Sequence, residues 1–221
     1  MKFFAIVLLL FLNFIYAQTD QISGHLGVFI FPSTERFNEY GFPQNAFTGY
    51  KPASNVGINL SYFISDKFSL SGSIDFVNTS KPFYRLSILQ LGSQIAYYPF
   101  EFEKKFTPYL FIMGSINIFN VSQKPHLLTI QPKKPSEGVI IKEDIRNEGF
   151  NLVAPIPGAG FGLGFDINLI KKFCIFGQLY ENIILTNSSK FIKENFRYHN
   201  YNLFILSLQL GIKYKFIQLD E

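Results

Sequence analysis

Strict alternation over the last stretch of the chain limits what it can fold into. In residues 201–216, YNLFILSLQLGIKYKF, every even position from Phe204 onward is large and apolar: Phe204, Leu206, Leu208, Leu210, Ile212, Tyr214 and Phe216. Ser207, Gln209, Gly211, Lys213 and Lys215 stand between them. Successive side chains of an extended strand point to opposite faces, so a period of two means a strand with one apolar and one polar face. An amphipathic helix would repeat every ~3.6 residues instead. What lies against each face is decided by the rest of the chain.

Seven further stretches read as strands. The first, residues 22–31, sets Ile22, Leu26, Val28 and Ile30 against Ser23, His25 and Gly27. After a loop at 32–52, the second places Val56, Ile58, Leu60, Tyr62 and Ile64 opposite Asn55, Gly57, Asn59 and Ser61, and Ser65-Asp66-Lys67 forms a tight turn. The third alternates Phe68, Leu70, Ile74 and Phe76 with Ser69, Ser71, Ser73 and Asp75; residues 78–85, with Pro82, break the pattern. The fourth, 86–98, puts Leu89, Leu91, Ile95 and Tyr97 opposite Gln90, Gly92, Gln94 and Ala96. A short aromatic and charged connection at 99–106 leads to the fifth, 107–120, with Leu110, Ile112, Ile116 and Ile118 against Phe111, Met113, Ser115 and Asn117. The longest loop, 121–154, holds two apolar runs at 127–130 and 139–141 around PKKPSEG. They read as a hairpin prolonging the neighbouring strands, or as two extra strands.

The sixth strand, GAGFGLGFDIN, carries Phe161, Leu163, Phe165 and Ile167 on one side and Gly160, Gly162, Gly164, Asp166 and Asn168 on the other. Its glycines are not a dinucleotide fingerprint: they recur every second residue, Leu163 stands where the third glycine of G-x-G-x-x-G belongs, and no helix follows. Small residues on a crowded inward face account for them. The seventh strand, 173–185, has a facing that alternation does not resolve, and a polar loop at 186–200 leads to the last strand.

Phe at 27 and Tyr at 12 of 221 residues favour strands, and no composition shift divides the chain, so one domain is expected. Charged residues make up only 16%, with a net charge of +4 scattered over turns and loops, which gives nucleic-acid binding no support. Residues 1–17 are expected to be a signal peptide: Lys2 opens it, residues 3–12 are its apolar core, and Ile15-Tyr16-Ala17 offers a peptidase site. Residues 18–221 then form the mature domain. Cys174 stands alone, so no internal disulfide forms, and it is expected to pack as a small hydrophobe.

Connections alternate between large and small, with a middling one at 78–85. In an antiparallel meander all odd connections share one end, so the pattern fits an all-β, eight-stranded up-and-down barrel with short periplasmic turns and long extracellular loops. A secreted lipocalin-like barrel is the rival. Its outer polar face would be rich in Lys and Glu, whereas here the polar faces carry Gly, Ser, Asn and Gln, as a filled lumen would, and the apolar faces suit lipid. Tyr62, Phe68, Tyr97, Phe102, Phe106, Phe173, Tyr214 and Phe216 gather near the short turns, where an interfacial girdle belongs.

On this pattern, and on the terminal LGIKYKF, the chain resembles the small eight-stranded outer-membrane barrels of Gram-negative bacteria, of OmpA-barrel or OmpX-like type and closest in composition to those of Bacteroidetes. The resemblance implies a place in the cell outer membrane among its lipids, and a C-terminal signal read by the outer-membrane insertion machinery. Residues 217–221 trail beyond the last aromatic.

No catalytic, cofactor or metal site is expected. Asp166, Lys213 and His25 should share the lumen near the periplasmic end, as a gate or as a satisfied network that plugs the barrel. Phe196-Arg197-Tyr198-His199-Asn200 is faintly similar to a stretch of lipid A deacylases, but Tyr201 occupies the nucleophile's place although Asn202 matches. His126 is isolated and proposes no metal site. The loop aromatics Phe37, Tyr40, Phe42, Phe47 and Tyr50 could bind an envelope partner or pack over the barrel mouth. Expected, then, is a non-enzymatic envelope protein, structural or partner-binding. A lipid-modifying enzyme and a narrow channel for small hydrophobic molecules are the alternatives. On the last strand, Leu208→Arg should abolish assembly and Gln209→Ser should be silent.

Overall fold

The alternating stretches become antiparallel strands that close on themselves. In the computed structural model, residues 21–31, 50–82, 84–100, 104–123, 126–130, 143–147, 150–170, 172–185 and 202–216 are described. The strands are β1 (Gln21–Ile30), β2 (Ala53–Ser65), β3 (Phe68–Lys81), β4 (Tyr84–Tyr97), β5 (Phe106–Gln123), β6 (His126–Ile130), β7 (Glu143–Asn147), β8 (Phe150–Ile170), β9 (Phe173–Ile184) and β10 (Leu203–Lys215). Eight of them form a closed barrel in the order β1-β10-β9-β8-β5-β4-β3-β2, while β6 and β7 make a two-stranded sheet. The last strand pairs with the first, Leu208 opposite Val28 and Tyr214 opposite Ile22, so the ring has no open edge. The expectations for residues 1–17, 139–141, 196–201 and 217–221, and for Phe37, Tyr40, Phe42, Phe47 and Phe102, fall outside the described residues.

Boundaries differ from the sequence reading in two regions, 78–85 and the long loop, where β5 runs on to Gln123 and the sixth strand, β8, already begins at Phe150. Residues 78–85 are not a middling connection: β3 runs to Lys81, β4 starts at Tyr84, and the two residues are paired across a turn that begins at Pro82. The proline's fixed φ suits the turn. Alternation fades there because both faces are polar, with Asn78 and Ser80 outward and Thr79 and Lys81 inward. In the long loop, β6 and β7 carry on the β5–β8 ladder at an unchanged register, from Gln123 opposite Phe150 to His126 opposite Asn147 and Ile130 opposite Glu143. This is the hairpin that prolongs the neighbouring strands. Its second arm is Glu143–Asn147, later in the chain than expected.

Following directly opposed residues once around the barrel gives its geometry. From Thr107 the row passes through Asp166, Phe176, Gly211, His25, Gly57, Asp75 and Gln90, and returns to β5 at Asn117, ten residues further on. A stagger of that size over eight strands corresponds to a strand tilt of about 40°. At ~3.3 Å per residue and that tilt, the rise from Tyr214 to Phe204 is ~25 Å, the height of a lipid-facing band.

The two faces match the alternation. Outward positions of β10 are exposed from Phe204 to Ile212, and Leu26 (69%), Ile112 (63%) and Phe161 (56%) face out elsewhere. At the short-turn end, Phe68 meets Tyr97 (ring centroids 5.2 Å apart), Phe106 stacks on Phe165 (5.9 Å), and Phe173 meets Tyr214 (5.3 Å), which is most of the expected girdle. The unresolved β9 faces Phe173, Ile175, Leu179 and Ile183 outward and Cys174, Phe176, Gln178, Tyr180 and Asn182 inward. Its inward rings fill room left by glycines: a Cβ on Gly211 would lie 2.6 Å from Phe176.

Candidate functional site in the barrel interior

The interior is built in two layers. Towards the long-loop end it is apolar, which the sequence reading, with its uniformly small and polar lumen, did not anticipate. Phe29, Val77, Leu86, Ile88, Phe119, Val121, Ile156, Ile184, Leu203 and Ile205 are all fully buried there. Inward positions near strand ends were read as loop or as unassigned, which hid them. Residues 50–52, which lead into β2, are fastened over this layer. Tyr50 is buried against Phe31 (5.7 Å), Lys81 Nζ lies 5.0 Å from the centres of the Tyr50 and Tyr84 rings, and Thr79 Oγ1 donates to the Lys51 carbonyl (3.0 Å). Tyr50 therefore packs over the mouth and does not present a binding surface.

Below it the layer is polar and contains the Lys213–Asp166 ion pair and the His25–Asp75 hydrogen bond. Lys213 Nζ donates to Asp166 Oδ1 (2.7 Å) and Oδ2 (2.9 Å), and its ammonium sits between the faces of Tyr109 (5.0 Å) and Phe176 (4.9 Å). Bidentate contact and two ring faces compensate a charge removed from water. Asp166 and Lys213 are thus brought together near the short-turn end, as the sequence indicated.

His25 is not part of that pair. It stands beside Gly211, one inward step further up the lumen, and its Nε2 meets Asp75 Oδ1 at 2.5 Å. A carboxylate only accepts, so Nε2 carries the hydrogen. Asn55 Nδ2 (3.0 Å) and Gln209 Nε2 (3.1 Å) donate to the same oxygen, and Gln209 Nε2 also reaches Tyr180 Oη (2.9 Å). Asp75 was visible on the polar face of the third strand, but nothing in linear sequence places it against a residue fifty positions earlier. Gln209 was expected to tolerate serine; its amide joins β10 to β3 and β9, so the shorter side chain would open that network. A Cβ on Gly57 would fall 2.6 Å from both Asp75 Oδ1 and His25 Nε2, so glycine there makes room for the pair.

The two clusters meet through the rings. Gln178 Nε2 donates to Tyr109 Oη (3.0 Å), and the His25 ring packs edge-on to Phe176 (6.1 Å). Higher up, Asn182 Nδ2 spans the lumen to Gln90 Oε1 (3.4 Å), and Asn117 Nδ2 donates to Ser115 Oγ (2.9 Å). His25 Nδ1, Asn59 Oδ1 and Asn117 Oδ1 are buried without a protein partner, which is the environment that holds internal water in folded proteins. Chemically, the interior is a network of an ion pair, amides and ring hydroxyls that bond to one another in part and leave some buried amide oxygens for water. Cys174 is buried, as expected.

No family model matches the chain, and no curated protein matches its sequence. Among solved structures, it is similar to Neisserial surface protein A, at 12% identity over 90% of this chain and 98% of that one, with a TM-score of 0.54. It is also similar to a major outer membrane protein from Thermus thermophilus, at 10% identity over 90% of this chain and 100% of that one, with a TM-score of 0.50. What is shared at such identities is the fold, the eight-stranded antiparallel barrel of outer-membrane proteins.

Proposed function

We propose that the chain is a non-enzymatic integral β-barrel protein of the bacterial outer membrane, structural or partner-binding within the cell envelope. The observation that carries this is the division of the barrel: an outer face that is apolar over ~25 Å, around an interior filled by side chains that include the buried Lys213–Asp166 ion pair. A lipocalin-like arrangement reverses those faces. Short turns then lie in the periplasm and the long connections outside, with the start of β1 and the end of β10 both on the periplasmic side. The terminal LGIKYKF is the segment the insertion machinery would read, with lipid as the surrounding partner.

A plugged lumen argues against diffusive transport, since eight strands enclose only enough space for side chains. The enzyme reading requires a nucleophile beside an oriented histidine. His25, the histidine whose environment is described, is engaged by Asp75 and has Phe176 at its edge. A deletion strain tests the assignment. Lipid A with unaltered acyl chains, together with a crosslinked envelope protein recovered with the tagged barrel, is the expected result. Altered acyl chains restored by the wild-type gene would make it an enzyme.

A further inference from the structure

Among the described residues of the eight barrel strands, Glu181 is the one acid that faces outward. On β9 the outward positions alternate as Phe173, Ile175, Leu179, Glu181 and Ile183. Glu181 lies directly opposite Phe161 of β8 and Leu206 of β10, both exposed on the apolar face. It is not at the rim: Ile183 on its own strand and Phe204 on β10 continue the belt above it. No described residue pairs with its half-buried carboxylate. A charge on a lipid face destabilises a barrel in proportion to its depth, and ionisable groups inside membranes are usually met by a partner.

Charge complementarity selects that partner. It must bring a cation to the level of Glu181, below the headgroup layer in which lipid amines reside. The described barrel strands of a second copy do not supply one: their sole outward base is Arg85, which lies beyond Leu89 and Ser87 among Ser80 and Ser122, above the belt.

We propose that the β8–β9–β10 face is a docking surface for a different membrane-embedded protein, one that carries an arginine or lysine on its lipid-facing side at the depth of Glu181. The proposal rests on the outer-membrane reading above and names the face through which the barrel would be held as a subunit. Phe161 and Leu206 flank the carboxylate and would exclude lipid and water from the ion pair.

Photocrosslinking in native membranes tests this with the full-length protein. A photoreactive residue in place of Leu206 should give an adduct with another envelope protein, and one in place of Ile74, across the barrel, should not. Glu181→Gln should reduce the Leu206 adduct several-fold, and replacing an arginine or lysine in the crosslinked partner segment by glutamine should reduce it equally. No adduct, an adduct unaffected by Glu181→Gln, or one formed with lipid or with a second copy of this chain would overturn the proposal. A heat-modifiable band in the membrane fraction monitors folding of each variant, and its absence in the wild type would overturn the barrel reading itself.

Discussion

At the scale of single residues, the interior depends on pairs. Removing Lys213 leaves the Asp166 carboxylate buried, fully inaccessible and without its cation, and breaking such a pair costs about 3–5 kcal/mol. Lys213→Met should therefore lower unfolding stability by about that amount, measured by urea unfolding in lipid vesicles, and adding Asp166→Leu should restore most of it. Sequence reading reached this pair because opposite charges on the inward faces of the sixth and last strands fall at similar depth. It missed Asp75 because the partner was chosen by depth alone, without the register that puts Asp75 directly across from the Gly57 beside His25. Glycines separate in the same way. A Cβ on Gly164 would meet Tyr109 Oη at 2.7 Å, whereas one on Gly114 meets nothing within 4 Å. Gly164→Ala should cost about 1–3 kcal/mol through overpacking, while Gly114→Ala, on the outer face, should change stability by less than ~1 kcal/mol and in the stabilising direction.

At the scale of elements, legibility follows the purity of alternation. β10 was readable because its outward side is uniformly large and apolar and its inward side, from Ser207 onward, is small or polar. β9 was not, because Phe176 and Tyr180 point inward while Gly177 points outward beneath Phe165, whose ring would lie 2.6 Å from an added Cβ. Its inward rings are answered by glycines on other strands, information that no single strand contains. On β10, Leu208→Arg places a charge on the lipid face near mid-belt, at a cost of about 2–4 kcal/mol, and should abolish the heat-modifiable band. Gln209→Ser removes the donor shared by Asp75 and Tyr180; it should still assemble but unfold at lower urea, by about 1–3 kcal/mol for the groups left unsatisfied. The β6–β7 ribbon is a different matter. The β5–β8 ladder is complete at Gln123 opposite Phe150, so replacing residues 124–149 by a short turn should leave folding and membrane insertion unchanged on the same gels.

At the scale of the whole molecule, the barrel is closed twice along its axis. Strand count, order and, for every barrel strand but β9, the direction of both faces could be read from periodicity. The layering inside could not, because it emerges only when the stagger of ten residues brings the ends of distant strands to one height. An apolar layer centred on Phe29 and Phe119 caps the long-loop end, and a charged layer around Lys213 and Asp166 closes the other. Seals in series have a testable signature, since resistance through the lumen is set by whichever one remains. In planar bilayers the wild type should be silent, and so should Phe29→Ala/Phe119→Ala, in which the paired charges still block the lower end. Lys213→Ala/Asp166→Ala should be silent too, behind the intact apolar cap. Only the quadruple variant should conduct. Conductance from Lys213→Ala/Asp166→Ala alone would instead make the charged pair a gate, because it would show that the apolar layer passes ions once the pair is gone.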